Sequence, residues 1–303
     1  NDNFDRTTTA FGRPTMREHD YYLKNDSFGA DLEFQSELND SKFTYGIDYS
    51  KVETSRLRTT RIIGGTTDIV KDTPDTDIIR TGVYVQNEYS KGKFDFISGL
   101  RYDSYELDAK PDEYVPPSAA FDLEADKISP KLALTYNIND DLSTYAQYSQ
   151  GFRAPAYYEI NANFSNPMRG YKTISNPDLK PETSNSYELG LRGRYSQIDF
   201  DLAGFYNRYE NFIEQLVYIG RLDGLTTYQT QNVDSAEIFG AELAASYYFN
   251  PEKNGFSLFT ALASATGDNL TENKPLDTVN PFEAKLGIKY ASSNGKWDAK
   301  LTN

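Results

Sequence analysis

From Phe28 the chain alternates. Phe28, Ala30, Leu32, Phe34 and Leu38 are interleaved with Gly29, Asp31, Glu33, Gln35 and Glu37. A period of two puts the first set on one face of a strand and the second on the other, so the strand has an apolar side and a wet side. Asn39-Asp40-Ser41 turns the chain, and Phe43, Tyr45, Ile47 and Tyr49 then alternate with Thr44, Gly46, Asp48 and Ser50 to complete a hairpin. The unit recurs. Val83, Val85 and Tyr89 turn at Lys91-Gly92 into Phe94, Phe96, Leu100 and Tyr102. Leu132, Leu134, Tyr136 and Ile138 pass through Asn139-Asp140-Asp141 into Leu142, Ala146 and Tyr148. Tyr187, Leu189, Leu191 and Tyr195 turn at Ser196-Gln197 into Ile198, Phe200, Leu202 and Tyr206. A long strand from about Thr226 to Phe249, with Phe239, Ala241, Leu243, Ala245 and Tyr247 as its clearest outward set, leads through Asn250-Pro251-Glu252 to Phe256, Leu258 and Leu262. A last pair runs from Phe282 to Tyr290 and, after Ser292 to Gly295, through Trp297, Ala299 and Leu301.

With a weak strand at the N-terminus this gives about thirteen strands, in which short turns strictly take turns with long polar links. The links run from about Glu53 to Asp77, around Lys110 to Pro117, between the segment that closes at Pro155 and the one that opens at Asn176, and through Gly220 and Gly224. That asymmetry predicts an all-β fold, a transmembrane antiparallel β-barrel of the outer-membrane type, with short turns at one end and long loops at the other. Tyr49, Tyr89, Tyr102, Tyr195, Tyr206 and Tyr290 fall at strand ends, where an interfacial girdle keeps the ring in the apolar zone and the hydroxyl in water. A soluble sandwich also alternates, but its strands are shorter and its links less regular. The mean hydropathy of −0.66 does not argue against the membrane. Barrel strands show lipid only every second residue, and a polar lumen and loops dilute the average. No apolar run is long enough for a membrane-spanning helix, and no leader pattern stands at Asn1, as expected of a mature or truncated chain.

Composition narrows the chemistry. The 303 residues include no Cys, one His and a formal net charge of −14. There is no thiolate nucleophile or thiolate metal site, and a nucleic-acid partner is disfavoured without a basic face. No G-x-S-x-G elbow and no second His for a metal cluster are present. The expectation is a non-enzyme with no catalytic residues, no resident metal and no intrinsic cofactor.

The long link after Tyr148 carries the most specific signal. Phe152-Arg153-Ala154-Pro155 closes one segment, and Asn176-Pro177-Asp178-Leu179-Lys180-Pro181-Glu182 opens the next, followed by SYELGLR. Each proline lacks a backbone donor and biases its predecessor away from the helix, so both boxes stop sheet pairing and launch a loop. This ordered set, with NVDSAEIFGAEL at 232–243 and KPLDTVNPFEAKLGIKY at 274–290, resembles the TonB-dependent outer-membrane receptors, most closely their heme and hemoprotein subgroup. The likeness is strong over about 128–290 and one of pattern only before that. It implies a barrel in the outer membrane of a Gram-negative bacterium, in contact with its lipid, that imports heme captured from a hemoprotein or hemophore. Energy would come from a TonB–ExbB–ExbD complex. Members have twenty-two strands and an N-terminal plug; residues 1–303 would then be one barrel domain, incomplete, with no plug in view. The rivals are the same scaffold carrying a ferric siderophore or transferrin-type iron, a rim-active hydrolase, and a passive porin.

Many heme receptors place a histidine between the two boxes; this insert has none. It offers Tyr157, Tyr158, Met168, Arg169 and Tyr171. Tyr and Met can ligate heme iron and Arg can pair with propionates, while the plainer reading is loop packing or contact with a protein. The absence of His sharpens the expectation of a receptor for a hemoprotein surface. His19, the single imidazole, sits near the outer end of a strand and is either a heme ligand or an exposed residue without a role. Arg153 and Glu182 are expected to pair or cap at the barrel mouth. Asp72, Asp75 and Asp77 have oxygen ligands suited to Ca²⁺, but no turn glycine or loop spacing accompanies them, and a solvated acidic loop explains them. Asp140-Asp141 is turn chemistry.

Overall fold

The computed structural model describes residues 2–10, 13–62, 67–271, 273–276, 279–280 and 282–303. One antiparallel meander accounts for nearly all of them. Its strands are β1 (Asp2–Ala10), β2 (Arg13–Leu38), β3 (Ser41–Ile62), β4 (Thr67–Val70), β5 (Asp75–Lys91), β6 (Phe94–Lys110), β7 (Leu123–Asn137) and β8 (Leu142–Arg153). After a single helical turn, α1 (Tyr157–Ile160), come β9 (Ser165–Asn166), β10 (Tyr171–Ile174), β11 (Glu182–Arg194), β12 (Ile198–Leu222), β13 (Leu225–Tyr248), β14 (Gly255–Asn269), β15 (Lys274–Pro275), β16 (Glu283–Ala291) and β17 (Asp298–Thr302). Each long strand pairs with the next in sequence, and β8 pairs with β11 across the insert that holds α1, β9 and β10. Setting aside the short β4, β9, β10 and β15 leaves the thirteen wall strands that the alternation implies.

The register lines up the apolar positions across the sheet. Leu32 faces Ile47, Ile47 faces Val83, Val83 faces Tyr102 and Tyr102 faces Ile128. Farther along, Leu191, Leu202, Leu243 and Leu262 form a second continuous row. These side chains are solvent-accessible in the isolated chain, with Leu32 at 60%, Leu189 at 65% and Leu202 at 45%. The opposite face is polar. Arg101 donates to both oxygens of Asp48 at 2.8 and 3.0 Å and to Asp103 at 2.7 Å, and Arg192 and Arg194 share Asp201 at 2.8 and 2.6 Å. Tyr145 donates to Glu188 at 2.6 Å, its ring lying where a Cβ on Gly190 would stand, so the lumen side is packed through a glycine notch.

Aromatic rows bound the apolar band. At the short-turn end Phe94 packs on Tyr136, Phe256 on Tyr290 and Tyr290 on Trp297, with centroids 4.9–5.1 Å apart. At the other end Tyr148, Tyr187 and Tyr206 follow one another at 5.1 and 6.4 Å; Tyr148 donates to Asn185 at 3.0 Å and Tyr206 to Glu237 at 2.9 Å. Tyr187 on β11 and Tyr195, the residue just past its end, mark the two edges. Their separation, at about 3.3 Å of rise per residue and a tilt near 40°, spans roughly 20 Å, close to the apolar height of an outer-membrane barrel.

Two expectations need correction above the upper row. The link from Glu53 to Asp77 is largely strand: β3 runs to Ile62, paired with β2 as far as Arg17, and β4 returns along it. The link through Gly220 and Gly224 is a hairpin in which β12 and β13 meet at Asp223 and Gly224, with φ of 53° and 79°. Asp-Gly with two positive φ values is a type I′ turn, whose twist suits adjoining strands. Long and short connections therefore do not strictly take turns. Both segments escape the alternation test because water bathes both faces there.

The band yields a direct expectation. Leu202→Arg, at its middle and flanked by Leu191 and Leu243, should cost about 2–4 kcal/mol of folding free energy in bilayers. Lumen-facing Glu242→Gln, as a control, should change it by less than about 0.5 kcal/mol. Equilibrium unfolding titrations in lipid vesicles measure both.

Candidate functional site at the barrel mouth

Above the upper aromatic row the lumen face turns apolar and closes. Ile78 of β5 and Tyr105, Leu107 and Ala109 of β6 are buried there together with Ile160 of α1, Leu179, and Ile213 of β12. Phe152, Ala154 and Tyr157 pack against this cluster. Both sequence boxes thus feed one small core, and polar contacts lock it.

Arg153 is the hub. Its guanidinium donates to Glu159 at 2.8 Å and to Glu182 at 2.9 and 3.2 Å. The side chains of Glu159 and Glu182 are 4% and 11% exposed. Glu159 also accepts from the Ala156 N–H at 2.8 Å, capping α1, and from Gln215 at 3.0 Å. Glu182 accepts from the Ile213 N–H at 3.2 Å. One cation therefore joins the end of β8, α1, the start of β11 and the upper part of β12. Burial alone would lower the affinity of Arg153 for its proton, but the two carboxylates override it and raise its pKa.

Asparagines complete the lock. Asn161, fully buried, accepts from the Phe121 N–H at 2.8 Å and donates to the Phe121 carbonyl at 2.9 Å, pairing the β6–β7 link as a strand would. In the second box the Asn176 side chain accepts from the Asp178 N–H at 3.1 Å, an Asx turn ahead of Leu179, and donates to the Thr230 carbonyl at 2.8 Å. Asn232 brackets Lys180 from both sides, at 2.8 and 3.0 Å, and donates to the Asn211 carbonyl at 2.6 Å. Pro155 and Pro177 do what their chemistry dictates: each ends a segment, and the buried Pro155 carbonyl accepts from Tyr105 at 3.0 Å.

Between the boxes, Pro167–Arg169 make a tight turn closed by Gly170 at φ 74°. β10 then pairs antiparallel with β9 and parallel with the tip of β13, Tyr171 opposite Thr226. Met168, Arg169 and Tyr171 are thus brought to one turn, Met168 at 88% exposure. Arg169 and Tyr171 line a groove with Gly170, Leu216, Thr226 and Tyr228. Tyr157 and Tyr158 stand apart on α1, ring to ring at 5.4 Å, the first against the core and the second outside. His19 pairs through its backbone with Phe4 and Thr60 in the outer part of β2; its side chain lies outside the described residues. The acidic link is neutralised by lysines: Asp75 meets Lys71 at 2.8 Å, and Asp77 meets Lys110 at 2.6 Å. Among the described residues no three His, Cys, Asp or Glu side chains are placed to hold a metal. Gln215, Leu216, Tyr228 and Asn161 were not singled out in the sequence, and Asn232 only as the first residue of the 232–243 stretch; the apolar Leu-Val-Tyr-Ile run at 216–219 inside a polar link is a signal that could have pointed there.

The family description "TonB dependent receptor-like, beta-barrel" matches residues 1–303. The chain is 26% identical over 302 residues to the heme/hemopexin utilization protein C of Haemophilus influenzae, covering 90% of this chain and 39% of that protein. It is 30% identical over 200 residues to the hemin receptor of Yersinia pestis, covering 61% of this chain and 27% of that protein. Among solved structures, the copper transporter OprC superposes with a TM-score of 0.73 at 20% identity, over 96% of this chain and 44% of that one. The Serratia marcescens hemophore receptor HasR, in complex with hemophore HasA and heme, does so at 0.68 and 17%, over 95% and 52%. The chain thus spans from about a quarter to a half of each of these proteins, and the structural likeness concerns the fold.

Two outcomes follow from the mouth geometry. Arg153→Ala leaves two buried carboxylates without their cation; with Arg153 itself half exposed, the local cost should be about 2–3 kcal/mol. Hydrogen exchange should accelerate at 156–182 while the wall strands keep their protection. Lys71 ties the link before β5 to Asp112 in the link after β6. Burial would raise the Asp112 carboxyl, but Lys71 and the Val115 and Tyr114 N–H groups hold it below its ordinary value. This staple contributes fully above the ordinary carboxylate range near 4 and is lost as pH falls through the depressed value. Exchange protection of 112–115 should therefore fall below pH 4 in the wild type and be insensitive to that pH change in Asp112→Asn.

Proposed function

This chain belongs to the TonB-dependent receptor β-barrel family, and from that premise we propose that it is the wall and mouth of an outer-membrane receptor that imports heme taken from a hemoprotein or hemophore. The observation that carries the reading is the mouth itself: two boxes locked by Arg153 present an aromatic insert at the rim, in a chain whose relatives include a heme/hemopexin utilization protein and a hemin receptor. Lining the rim, Tyr158, Met168, Arg169 and Tyr171 would meet the cargo, with Tyr157 supporting them and His19 a further candidate on β2. Phe152, Ala154, Pro155, Asn176, Pro177, Asp178, Leu179 and Glu182 would act with Arg153 by holding that rim in place. The family is one of receptors and transporters, and the barrel makes or breaks no bond.

The wall is open among the described residues: β1 pairs only with β2, and β17 only with β16. Unpaired edges are not tolerated in hydrocarbon, so further strands would close the barrel, and a plug and an inner-membrane TonB complex would couple uptake to energy. Heme is cargo in this reading. A ferric siderophore or transferrin-type iron on the same scaffold is the second reading, for which an insert without a His ligand leaves room.

The test is growth of an iron-starved host lacking the gene. Heme or a hemoprotein as sole iron source should fail to support it, inorganic iron should support it, and the intact gene should restore use of heme. Normal growth on heme in a strain without a second heme receptor would reject the heme assignment and leave the family standing.

A further inference from the structure

The tip of the β12–β13 hairpin stands clear of its neighbours. β11 accompanies β12 only as far as Glu210, and β14 accompanies β13 only from Ala236. Beyond those points the hairpin is held on one side, by the parallel β10. Twice the β12 register slips, between Glu214 and Val217 and between Tyr218 and Gly220. In the first slip Leu216 sits at φ 58°, a left-handed backbone that aliphatic residues rarely adopt. It is 63% exposed, with Tyr218 at 59%, and Met168, the chain neighbour of the groove-lining Arg169, is 88% exposed. Strain that is spent on holding an apolar side chain in water has no return within the chain, which is the pattern expected of a surface completed by something else.

Charge says what kind of surface. Lys172 is neutralised by Asp223 at 2.7 Å. Arg169 lines the groove and Arg221 stands opposite Thr226, whose N–H donates to the Gly170 carbonyl at 2.8 Å. Among the described residues neither arginine has a carboxylate partner, in a chain of net charge −14; Arg221 donates one hydrogen bond, to the Gly224 carbonyl at 2.9 Å, which leaves its charge uncompensated. Two uncompensated guanidinium groups beside exposed Leu, Met and Tyr are the residue types that dominate protein recognition, with Arg suited to carboxylates.

We propose that the hairpin tip and the Pro167–Tyr171 turn form one docking platform for an acidic face of a protein. Leu216 and Met168 are the apolar anchors, and Arg169 and Arg221 receive carboxylates of the partner. The inference rests on the import reading above, whose hemoprotein or hemophore is the occupant. A bare porphyrin needs most of its surface enclosed, and anchors this exposed, on two separate segments, fit a larger body. The platform is already ordered. Besides the β10–β13 ladder, Gln229 donates to the Ser175 carbonyl at 2.8 Å and Asn176 to the Thr230 carbonyl at 2.8 Å, so docking would freeze few degrees of freedom.

The experiment uses the full-length receptor displayed in the outer membrane. Wild type is compared with Leu216→Asp/Met168→Asp and with Arg169→Glu/Arg221→Glu, surface level and heat-modifiable gel mobility confirming assembly. Hemoglobin, heme-loaded hemopexin and heme-loaded HasA are the protein probes, and growth on free hemin is the parallel arm. At least one protein should bind the wild type, each double variant should weaken that binding by about tenfold or more, and use of free hemin should fall by clearly less than protein binding does. Unchanged protein affinity in both variants overturns the platform. So does an equal loss of hemin use, which would make the groove a site for heme itself, and so does growth on hemin with none of the three proteins bound. Failure of the wild type on hemin and on all three proteins instead rejects the import reading beneath it.

Discussion

A wall facing hydrocarbon can leave no backbone amide unpaired, because nothing in lipid will accept or donate in its place. That single requirement accounts for the length and monotony of this chain's ladder. From β1 to β17 the wall strands pair with their neighbours in sequence, and within the apolar band the register between β11, β12 and β13 runs without a slip. Since a shift by one residue would turn every Leu of the Leu191–Leu262 row into the lumen and every carboxylate opposite it into lipid, register is fixed by solvent on both faces at once. Bulges appear in β12 only above Glu214, where water can satisfy what the ladder releases.

The mouth is where that requirement ends and a different one begins. Strands leaving the lipid must be tied off without an open, wandering rim, and the two proline boxes do this by ending pairing at Arg153 and resuming it at Glu182. The ends are then bound by charge. Arg153 between Glu159 and Glu182 is a half-exposed cation serving two nearly buried anions, so the net worth of the network as stabilisation is modest, but the geometry it imposes is specific. It places the insert above the lumen and fixes its relation to β12 through Gln215 and Ile213.

How legible this was in the amino-acid sequence depends on solvent. In the band, lipid on one face and water on the other write a period of two, and Leu189, Leu191, Phe200 and Leu202 disclose their strands without help. Twelve wall strands follow from that, and the weak N-terminal strand brings the count to about thirteen. Above the band both faces are wet, the period vanishes, and the upper parts of β3 and β12 read as links. In the mouth, Arg153 and Glu182 stood out as a pair because they belong to recognisable boxes. Glu159 and Asn161 did not, since one acidic and one amide residue in a polar insert have no pattern until the chain folds them against Arg153 and Phe121. Met168, Arg169 and Tyr171 were marked by residue type; their partner surface on β12 and β13 lies roughly fifty residues downstream and is joined only by the parallel β10–β13 pairing.

That pairing bears on how uptake would have to work. A rim locked by Arg153, Asn161, Asn176 and Asn232 resists rearrangement, because each tie is made to a different element and releasing one leaves the others in place. Capture by such a rim relies on a preformed surface rather than on closure around the cargo. In the import reading proposed above, passage inward would demand motion from something other than this mouth, because ion pairs on the lumen face also tie the wall: Arg101 of β6 reaches Asp48 of β3 across β5, and Arg194 of β11 meets Asp201 of β12. In that reading a tied wall and a tied mouth would leave the moving part of transport to a body inside the barrel.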